Sequence, residues 1–490
     1  MVKGTLFLML GQVTFLIAGY TINILLALRL GPQGYGLFSI AMAILVWVEL
    51  FVVNGVPTAM QRFIAGGKYN RDALANLGIK WQLLYCGVLW ALFIAATPLI
   101  STMLVDKSLM TLLWIASIDI IIYGMYWLYT GILGGDQCFF AQALSIMAYA
   151  LGKLTAVMVL VFLNWSIIGA LIGNWIGSAI GLAIAAHFVK RIKISAKTEI
   201  PHSVIRQFIT ATVLYTIMLN LLLYLDIFFV KRFLSDVYVG YYNAAGTIAR
   251  IPYFIFLALS FTLLPVLSRS IAAGAEKETR KRIMQIMRYL VILLIPIIVF
   301  VWHNAEAVLR LFYSTKYLTA APVLPILTLA LSLFTIFSIM TTILNADGRP
   351  GMSLRISAFV ALVDASCNVV LVPRYGMVGA ALATGIAGFL GVVIGSYYVY
   401  RRFASFARAV TLLRVTVAAA SALFLVASWQ VTSVDVIPKA FVFSAIYFAI
   451  LILSREVGSE DWSMLRGLYS GKQKNAVGVL ENLELRKGLN

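Results

Sequence analysis

The sequence predicts an all-α polytopic membrane protein with about fourteen transmembrane helices. Two observations carry this prediction: 62% of the 490 residues are hydrophobic, and only 12% are charged. Soluble globular domains do not have this balance, and apolar runs of about 20 residues recur along the whole chain. Because a bilayer offers no partner to backbone N–H and C=O groups, such runs have to be helical.

Fourteen apolar runs are long enough to cross a bilayer. They are Leu6–Leu28, Leu37–Ala59, Trp81–Val105, Leu109–Leu133, Ala141–Leu163, Ile167–Phe188, Phe208–Val230, Val239–Leu264, Tyr289–Leu311, Pro322–Leu344, Leu354–Val372, Val378–Tyr400, Val410–Trp429 and Ile437–Leu453. The first run follows Lys3 and reads as a retained membrane span, not as a cleavable signal peptide.

The positive charges lie mainly on one side of the predicted membrane. The net charge is +19, from 38 Lys and Arg against 19 Asp and Glu. Most of these cations fall at run ends on the side that holds the N-terminus, a distribution typical of cytoplasmic segments. We therefore expect a multi-pass protein of the plasma (inner) membrane with both termini in the cytoplasm. A nucleic-acid partner is excluded, because it needs the cations on one folded soluble face.

The chain duplicates itself. Three pairs of segments align at offsets of 204 to 211 residues: Tyr35–Phe38 with Val239–Tyr242, Ile132–Asp136 with Ile343–Asp347, and Ile168–Leu171 with Val378–Ala381. Two copies of six spans each, entering the membrane from the same side, predict two pseudo-symmetric six-helix lobes related by an axis along the membrane normal.

The repeat and the polar connections set the predicted domain boundaries. The boundaries are residues 1–188 for the N-terminal lobe, 189–206 for a cytoplasmic linker, 207–402 for the C-terminal lobe, 403–454 for two extra helices and 455–490 for a cytoplasmic tail. Such a duplicated membrane protein is usually a transporter built from two bundles.

Two sequence blocks carry a family resemblance. RLGPQGYGLFSIA…AMQRFIAG and LDIFFVKRFLSDVYVGYYNAAGTIARIPYF…LLPVLSR resemble the polysaccharide transporter (oligosaccharide flippase) family of the multidrug/oligosaccharidyl-lipid/polysaccharide exporter superfamily. The resemblance implies a central cavity, alternating access and export of a polyprenyl-pyrophosphate-linked oligosaccharide. The Asp in the family's seventh helix falls on Asp226, and the Arg closing its second helix falls on Arg62. Membrane lipids, a polysaccharide polymerase and export machinery are candidate partners.

Six ionisable residues inside the predicted spans are candidate cavity residues. Four of them, Asp119, Lys153, Arg250 and Glu49, lie at nearly one depth, and Asp364 and Asp226 lie nearer the external end. A charge at the centre of a span costs about 2.5–3.5 kcal/mol, so each of these residues needs a partner. A pyrophosphate requires Arg or Lys to replace its water, which favours the two cations as substrate ligands.

Two pairings and two hinges follow from these positions. We expect Asp119 to pair with Lys153 inside the first lobe, and Glu49 to face Arg250 across the cavity. Pro57 and Pro252 can kink the second and eighth spans and so serve gating. An aromatic stripe, Tyr123, Tyr126 and Trp127, is either packing or a stacking surface for sugar rings.

The residues leave two alternative functions open, and they do not identify the energy source of transport. A cation-coupled multidrug extruder would need acidic groups in the cavity. A membrane-embedded glycosyl polymerase would need a long external loop with carboxylates or a metal, which the sequence lacks. Cys86, Cys138 and Cys367 stand too far apart in sequence to indicate a disulfide framework or a metal site. We predict a transporter, not an enzyme, without a cofactor; H+, Na+ or the membrane potential can drive it, with Glu49, Asp226 and Asp364 as candidate ion sites.

Overall fold

The described part of the chain is helical throughout and contains no strand, as predicted. The computed structural model describes residues 2–189, 202–254, 256, 267–268, 270–271, 273–404 and 409–458. Its α-helices are α1 (Val2–Asn54), α2 (Val56–Ala65), α3 (Arg71–Met103), α4 (Ser108–Gly135), α5 (Phe139–Phe162), α6 (Ser166–Phe188), α7 (His202–Phe233), α8 (Asp236–Ala249), α9 (Glu276–Tyr313), α10 (Val323–Ala346), α11 (Pro350–Phe403), α12 (Ala409–Ala427) and α13 (Val436–Leu453).

Ten helical stretches in these residues are long and apolar enough to cross a membrane. Two of them, α1 and α11, exceed 50 residues, and each contains two predicted spans joined at a kink. The kinks fall at Gly31 (φ 68°) and Gly376 (φ 59°), where the left-handed backbone suits glycine. The eighth predicted span lies partly outside the described residues, so the count of fourteen stays a prediction, as do the domain boundaries.

Close helix contacts in the first lobe depend on small residues. On α6, a methyl group at Gly173 or Gly177 would collide with the backbone of α5 at Val157 or Lys153. Because lipid gives apolar helices no hydrophobic reason to associate, such close backbone approach supplies the packing energy. The tight α5–α6 contact in turn fixes the direction in which Lys153 points.

Alternate turns between helices lie on one side of the molecule, which we call the kink face. It contains Gly31, Gly376 and the connections 104–107, 163–165, 234–235, 314–322 and 428–435. There, the Lys231 ammonium at the end of α7 forms ion pairs with Asp106 (2.5 Å) and with Asp236. Because Asp106 belongs to the α3–α4 connection, these ion pairs join the two lobes.

Residues related by the internal repeat touch each other between α1 and α8. The Asn243 side chain donates to the Ser39 hydroxyl at 2.8 Å, and the two residues are 204 positions apart. A methyl on Gly36 would collide with the carbonyl of Asp236, and one on Gly240 with the carbonyl of Pro32. Contacts between equivalent residues occur on a two-fold axis, so the pseudo-symmetry axis of the two lobes passes through this helix pair.

The two extra helices, α12 and α13, pack on α9. The Tyr447 hydroxyl donates to the carbonyl of Ile292 at 2.7 Å. Glu456, just beyond α13, accepts hydrogen bonds from Arg288, Arg414 and Thr411. The extra helices are therefore held to the second lobe at both mid-depth and the end opposite the kink face.

Candidate functional site: a basic cavity between the lobes

A cavity of about 270 Å³ lies between the two lobes beneath the α1–α8 contact. Its lining comes from both halves of α1, from α5 and α7, and from α8 and the residues that follow it. The lining residues are Phe15, Leu16, Gly19, Tyr20, Ile22, Asn23, Phe38, Ser39, Met42, Ala43, Val46, Lys153, Tyr224, Ile227, Asn243, Thr247, Arg250 and Phe254. The charged groups among them are Lys153 and Arg250, one from each lobe, and none of the lining residues that the structure describes is a carboxylate.

Arg250 follows the last turn of α8 and is 6% exposed. Its Nη2 donates to the carbonyl of Leu223 at 3.3 Å, and its guanidinium carbon lies 4.9 Å from the Tyr224 ring centroid. The guanidinium Nε has no hydrogen-bond partner within the described residues. The charge of Asp226 on α7 acts on Arg250 without a direct hydrogen bond. The guanidinium is therefore oriented by its own lobe but keeps a donor for a ligand.

Lys153 reaches the cavity from α5 in the first lobe. Its ammonium lies 3.5 Å from the Tyr149 hydroxyl and interacts electrostatically with Glu49 and Asp119. The carboxylate of Asp119 is fully buried and accepts a hydrogen bond from the Asn174 amide. Asp119 and Lys153 are therefore neighbours of opposite charge, while Asn174 makes the hydrogen bond to Asp119; the pairing itself stays a prediction.

The dominant charge interactions join each cation to acids of its own lobe, so the partnership of Glu49 with Arg250 across the cavity stays a prediction. Glu49 interacts with Lys153 and Asp119 in the first lobe, whereas Arg250 interacts with Asp226 in the second. Glu49 lies one turn beyond Val46, outside the cavity lining, and each lobe compensates its own cation.

The second lobe contains a buried acidic pair. The Tyr242 hydroxyl donates to Asp226 at 2.5 Å, and the Asn368 amide donates to Asp364 at 3.1 Å. The two carboxyl groups interact with each other, and Asp364 keeps one oxygen without a partner within the described residues. Both aspartates are buried but lie outside the lining of the cavity.

The remaining predicted site residues lie away from this cavity. Arg62 is exposed at the end of α2, with its guanidinium 4.6 Å from the Phe208 ring centroid. Pro57 stands in the first turn of α2, directly after a break in the helix at Gly55. Regular helix also stops at Arg250, two residues before Pro252. Both prolines therefore accompany interruptions of a helix, as the sequence predicts.

The aromatic stripe of α4 belongs to the packing of the first lobe. Tyr126 stacks on Tyr149 with ring centroids 5.1 Å apart, and Tyr123 contacts Tyr126, Tyr149 and Trp127. Tyr126 and Tyr149 are buried. The packing interpretation of this stripe therefore holds over the sugar-stacking one.

The sequence did not predict a hydrogen-bonded polar layer that covers the cavity on the side of the kink face. The Tyr35 hydroxyl donates to Asn23 at 2.9 Å and accepts from Asn243 at 2.8 Å. Tyr317 lies against Tyr35 and donates to the carbonyl of Ala27 at 2.8 Å. The repeat alignment of Tyr35–Phe38 with Val239–Tyr242 pointed to this place, but uncharged residues gave no separate signal.

Fold and cavity together define a class: a polytopic helical membrane protein made of two lobes, with a basic cavity on their common axis. A family model described as polysaccharide biosynthesis protein matches residues 1–271, more than half of the chain. The chain belongs to the polysaccharide biosynthesis protein family. A second model, MatE, matches residues 211–370 in the second lobe.

Three curated relatives match part of the chain. An uncharacterized membrane protein, MJ1068 of Methanocaldococcus jannaschii, is 29% identical over 147 residues, 30% of this chain and 29% of that protein. The probable low-salt glycan biosynthesis flippase Agl15 of Haloferax volcanii is 23% identical over 36% of this chain and 37% of its own length. The probable lipid II flippase MurJ of Rhizobium tropici is 26% identical over 30% and 28%. The chain thus spans 28–37% of the length of these relatives.

Solved structures show the same fold over nearly the whole chain. The lipid II flippase MurJ in an inward closed conformation superposes with a TM-score of 0.77, covering 93% of this chain and 99% of that one at 19% identity. An inward-facing multidrug resistance MATE family transporter of the MOP superfamily gives a TM-score of 0.66 at 15% identity, covering 78% and 94%. At these identities the likeness concerns the fold.

Proposed function

We propose that the protein is a flippase that moves a lipid-linked oligosaccharide across the membrane by alternating access. The observation that carries the proposal is the cavity between the lobes, whose charged lining within the described residues consists of Lys153 and Arg250. A cavity of this sign suits an anionic ligand such as the pyrophosphate of a polyprenyl-linked sugar. A multidrug extruder for cations would require a negatively charged cavity, whereas the buried acids among the described residues lie outside the cavity lining.

The two cations divide the binding of the pyrophosphate. The Arg250 guanidinium offers a planar fork that can donate two parallel hydrogen bonds to phosphate oxygens, and Lys153 adds a point charge from the other lobe. Binding would draw the lobes together around the ligand, since each lobe contributes one cation. An inside-negative potential would assist outward movement of two negative charges by about 4–5 kcal/mol per 100 mV.

The orientation belongs to the same proposal. With the N-terminus and C-terminus in the cytoplasm of an inner-membrane protein, the kink face points outwards. The contact of α1 with α8 then closes the cavity on the outside, and the helix breaks near Pro57 and Pro252 serve as hinges. A polymerase or export machinery would receive the sugar on the kink face.

A coupling ion would bind apart from the substrate. Asp226 and Asp364 interact in the second lobe, and the Asn368 amide adds a polar group. Two neighbouring carboxylates favour the uptake of a proton or a cation such as Na+, which relieves their repulsion. Because Asp226 also interacts with Arg250, occupancy of this pair would alter the charge that Arg250 offers to substrate.

The test is a transport assay with the full chain in proteoliposomes. We expect it to accelerate the flipping of a fluorescent polyprenyl-pyrophosphate oligosaccharide, and not the uptake of an organic cation such as ethidium. A matched lipid with a neutral head group serves as the control for charge recognition. Cation uptake without flipping of the lipid-linked sugar would replace the proposal by multidrug extrusion.

A further inference from the structure

A second, larger cavity opens on the kink face, away from the basic cavity. Its volume is about 820 Å³, within the range of about 300–1,000 Å³ that is usual for ligand sites. It lies where α9, the start of α10 and the α12–α13 connection meet. The polar lining residues are His303, Asn304, Glu306, Thr319, Gln430 and Lys439.

Two tryptophans in this lining expose their rings. Trp302 on α9 is 56% exposed, and Trp429 in the α12–α13 connection is 39% exposed. Tryptophans of a membrane interface lie against lipid head groups, but these two line a concave space that six polar residues share. An aromatic face beside hydrogen-bonding side chains suits a ligand with one apolar face and a polar edge.

A buried ammonium holds the backbone at Trp429, and α9 is irregular close to Trp302. The ammonium of Lys439, which is 1% exposed, donates to the carbonyl of Trp429 at 2.8 Å. The α9 backbone departs from helix at Asn304 (φ −117°, ψ 24°), and the buried Asn304 amide donates to the carbonyl of Phe300 at 2.9 Å. Lys439 has donors to spare beyond this bond, and it lines the cavity.

We propose that this cavity is a carbohydrate-binding site on the outer surface. A pyranose ring presents an apolar face of C–H groups and a rim of hydroxyl groups. Trp302 and Trp429 bind the apolar face, while Lys439, Glu306 and Gln430 bind hydroxyl groups. The natural source of the sugar rests on the proposed function: it is the glycan part of the lipid-linked oligosaccharide on the side to which it is delivered.

The experiment measures sugar binding without transport. The full chain in phosphatidylcholine–phosphatidylglycerol nanodiscs is titrated with a panel of labelled, lipid-free oligosaccharides built from hexoses, N-acetylhexosamines or uronic acids. We expect saturable binding of at least one class. Trp302→Ala and Trp429→Ala should each weaken it at least about tenfold, equivalent to about 1.4 kcal/mol. Trp302→Phe, which keeps a ring, should restore part of the affinity.

Two controls separate sugar binding in this cavity from binding elsewhere on the protein. Trp165→Ala removes a tryptophan of similar exposure (52%) on the same face but outside the cavity, and should leave sugar binding unchanged. Trp114→Ala, which removes an exposed tryptophan (42%) of α4 outside the cavity, should also leave it unchanged. Binding that survives both cavity substitutions, binding only to lipid head groups, or no saturable binding overturns the site. If the unsubstituted protein binds the sugars but does not flip the lipid-linked oligosaccharide, the proposed function is rejected and the sugar site stands.

Discussion

Two residues, Lys153 and Arg250, give the basic cavity its positive charge. Each belongs to a different lobe, and each has acids of its own lobe behind it. A buried cation without compensation is expensive, so the acids keep the empty cavity stable while leaving the cations accessible. The two cations thus line the cavity, whereas the acids that interact with them lie outside its lining.

Substitution of Arg250 tests the substrate contact. Arg250→Ala should lower flipping of the lipid-linked sugar more than tenfold, equivalent to more than about 1.4 kcal/mol, at near-normal membrane levels. Arg250→Lys should retain part of the activity, because the charge survives but the fork for two hydrogen bonds is lost. Flipping rates are compared with Arg374→Ala, an exposed arginine next to the Gly376 kink. Wild-type rates in a stable Arg250→Ala protein would remove Arg250 from the mechanism.

Asp106 predicts a pH dependence of stability at the kink face. Partial burial raises the pKa of Asp106, but hydrogen bonds from Lys231 and Ser108 outweigh it and lower the pKa below the usual value. The stabilisation is therefore present above the unfolded value, about pH 4, and is lost as pH falls through the lower folded value. Thermal unfolding in detergent should show this loss in the wild type.

Asp106→Asn should be less stable than the wild type at pH 7 and change less on acidification. Asp435→Asn, an exposed acid on the same face, is the control and should keep the wild-type profile. Lys231→Met should cost more, about 3 kcal/mol, because it leaves both Asp106 and Asp236 unpaired in a largely buried place. Equal acid sensitivity of Asp106→Asn and the wild type would contradict the assignment.

At the scale of elements, the α1–α8 pair closes the kink face. Gly36 lies against the start of α8, and Gly240 lies against Pro32 just after the kink of α1. The two contacts are equivalent under the repeat, and each brings backbone onto backbone. Opening this interface would separate the two backbone contacts and break the hydrogen bonds of Asn243 with Tyr35 and Ser39.

A methyl group at either glycine should hold the kink face open. Gly36→Ala and Gly240→Ala overlap backbone carbonyls, which cannot rotate away, so overpacking should cost the closed state about 1–3 kcal/mol. Spin labels on the α3–α4 and α7–α8 connections should report longer distances between the lobes. Gly87→Ala, where the new methyl meets open space, is the control. Unchanged distances in both variants would show that this contact does not set the closed state.

At the scale of the whole molecule, the duplication of the chain explains where the cavity lies, and the divergence of the two copies explains its charge. Pseudo-equivalent residues meet on the axis, as Asn243 and Ser39 do. Both copies therefore line the cavity on that axis, and each copy contributes one cation to it. Identical copies would supply identical charges. Here the copies have diverged, and Lys153 and Arg250 come from non-equivalent helices.

Reporter fusions test the orientation of the whole chain. Fusions at residues 70, 200 and 275 should all report cytoplasm, because the cations concentrate on that side. Fusions in the connections 104–107 and 428–435 should report the exterior. One reversed result would contradict the predicted topology. It would also contradict the assignment of the kink face to the outside.

The amino-acid sequence by itself determined the helical class and the repeat, because hydropathy and spacing along a chain are local quantities; the depth of the buried charges stays a prediction. It also located both prolines at helix breaks. Tertiary structure alone decided which charges share the basic cavity. Helices that are apolar all round give little information about their rotation, which close contacts such as Gly177 against Lys153 set instead. The tertiary structure also brings Trp302 of α9 and Trp429 of the α12–α13 connection, distant in sequence, to one cavity.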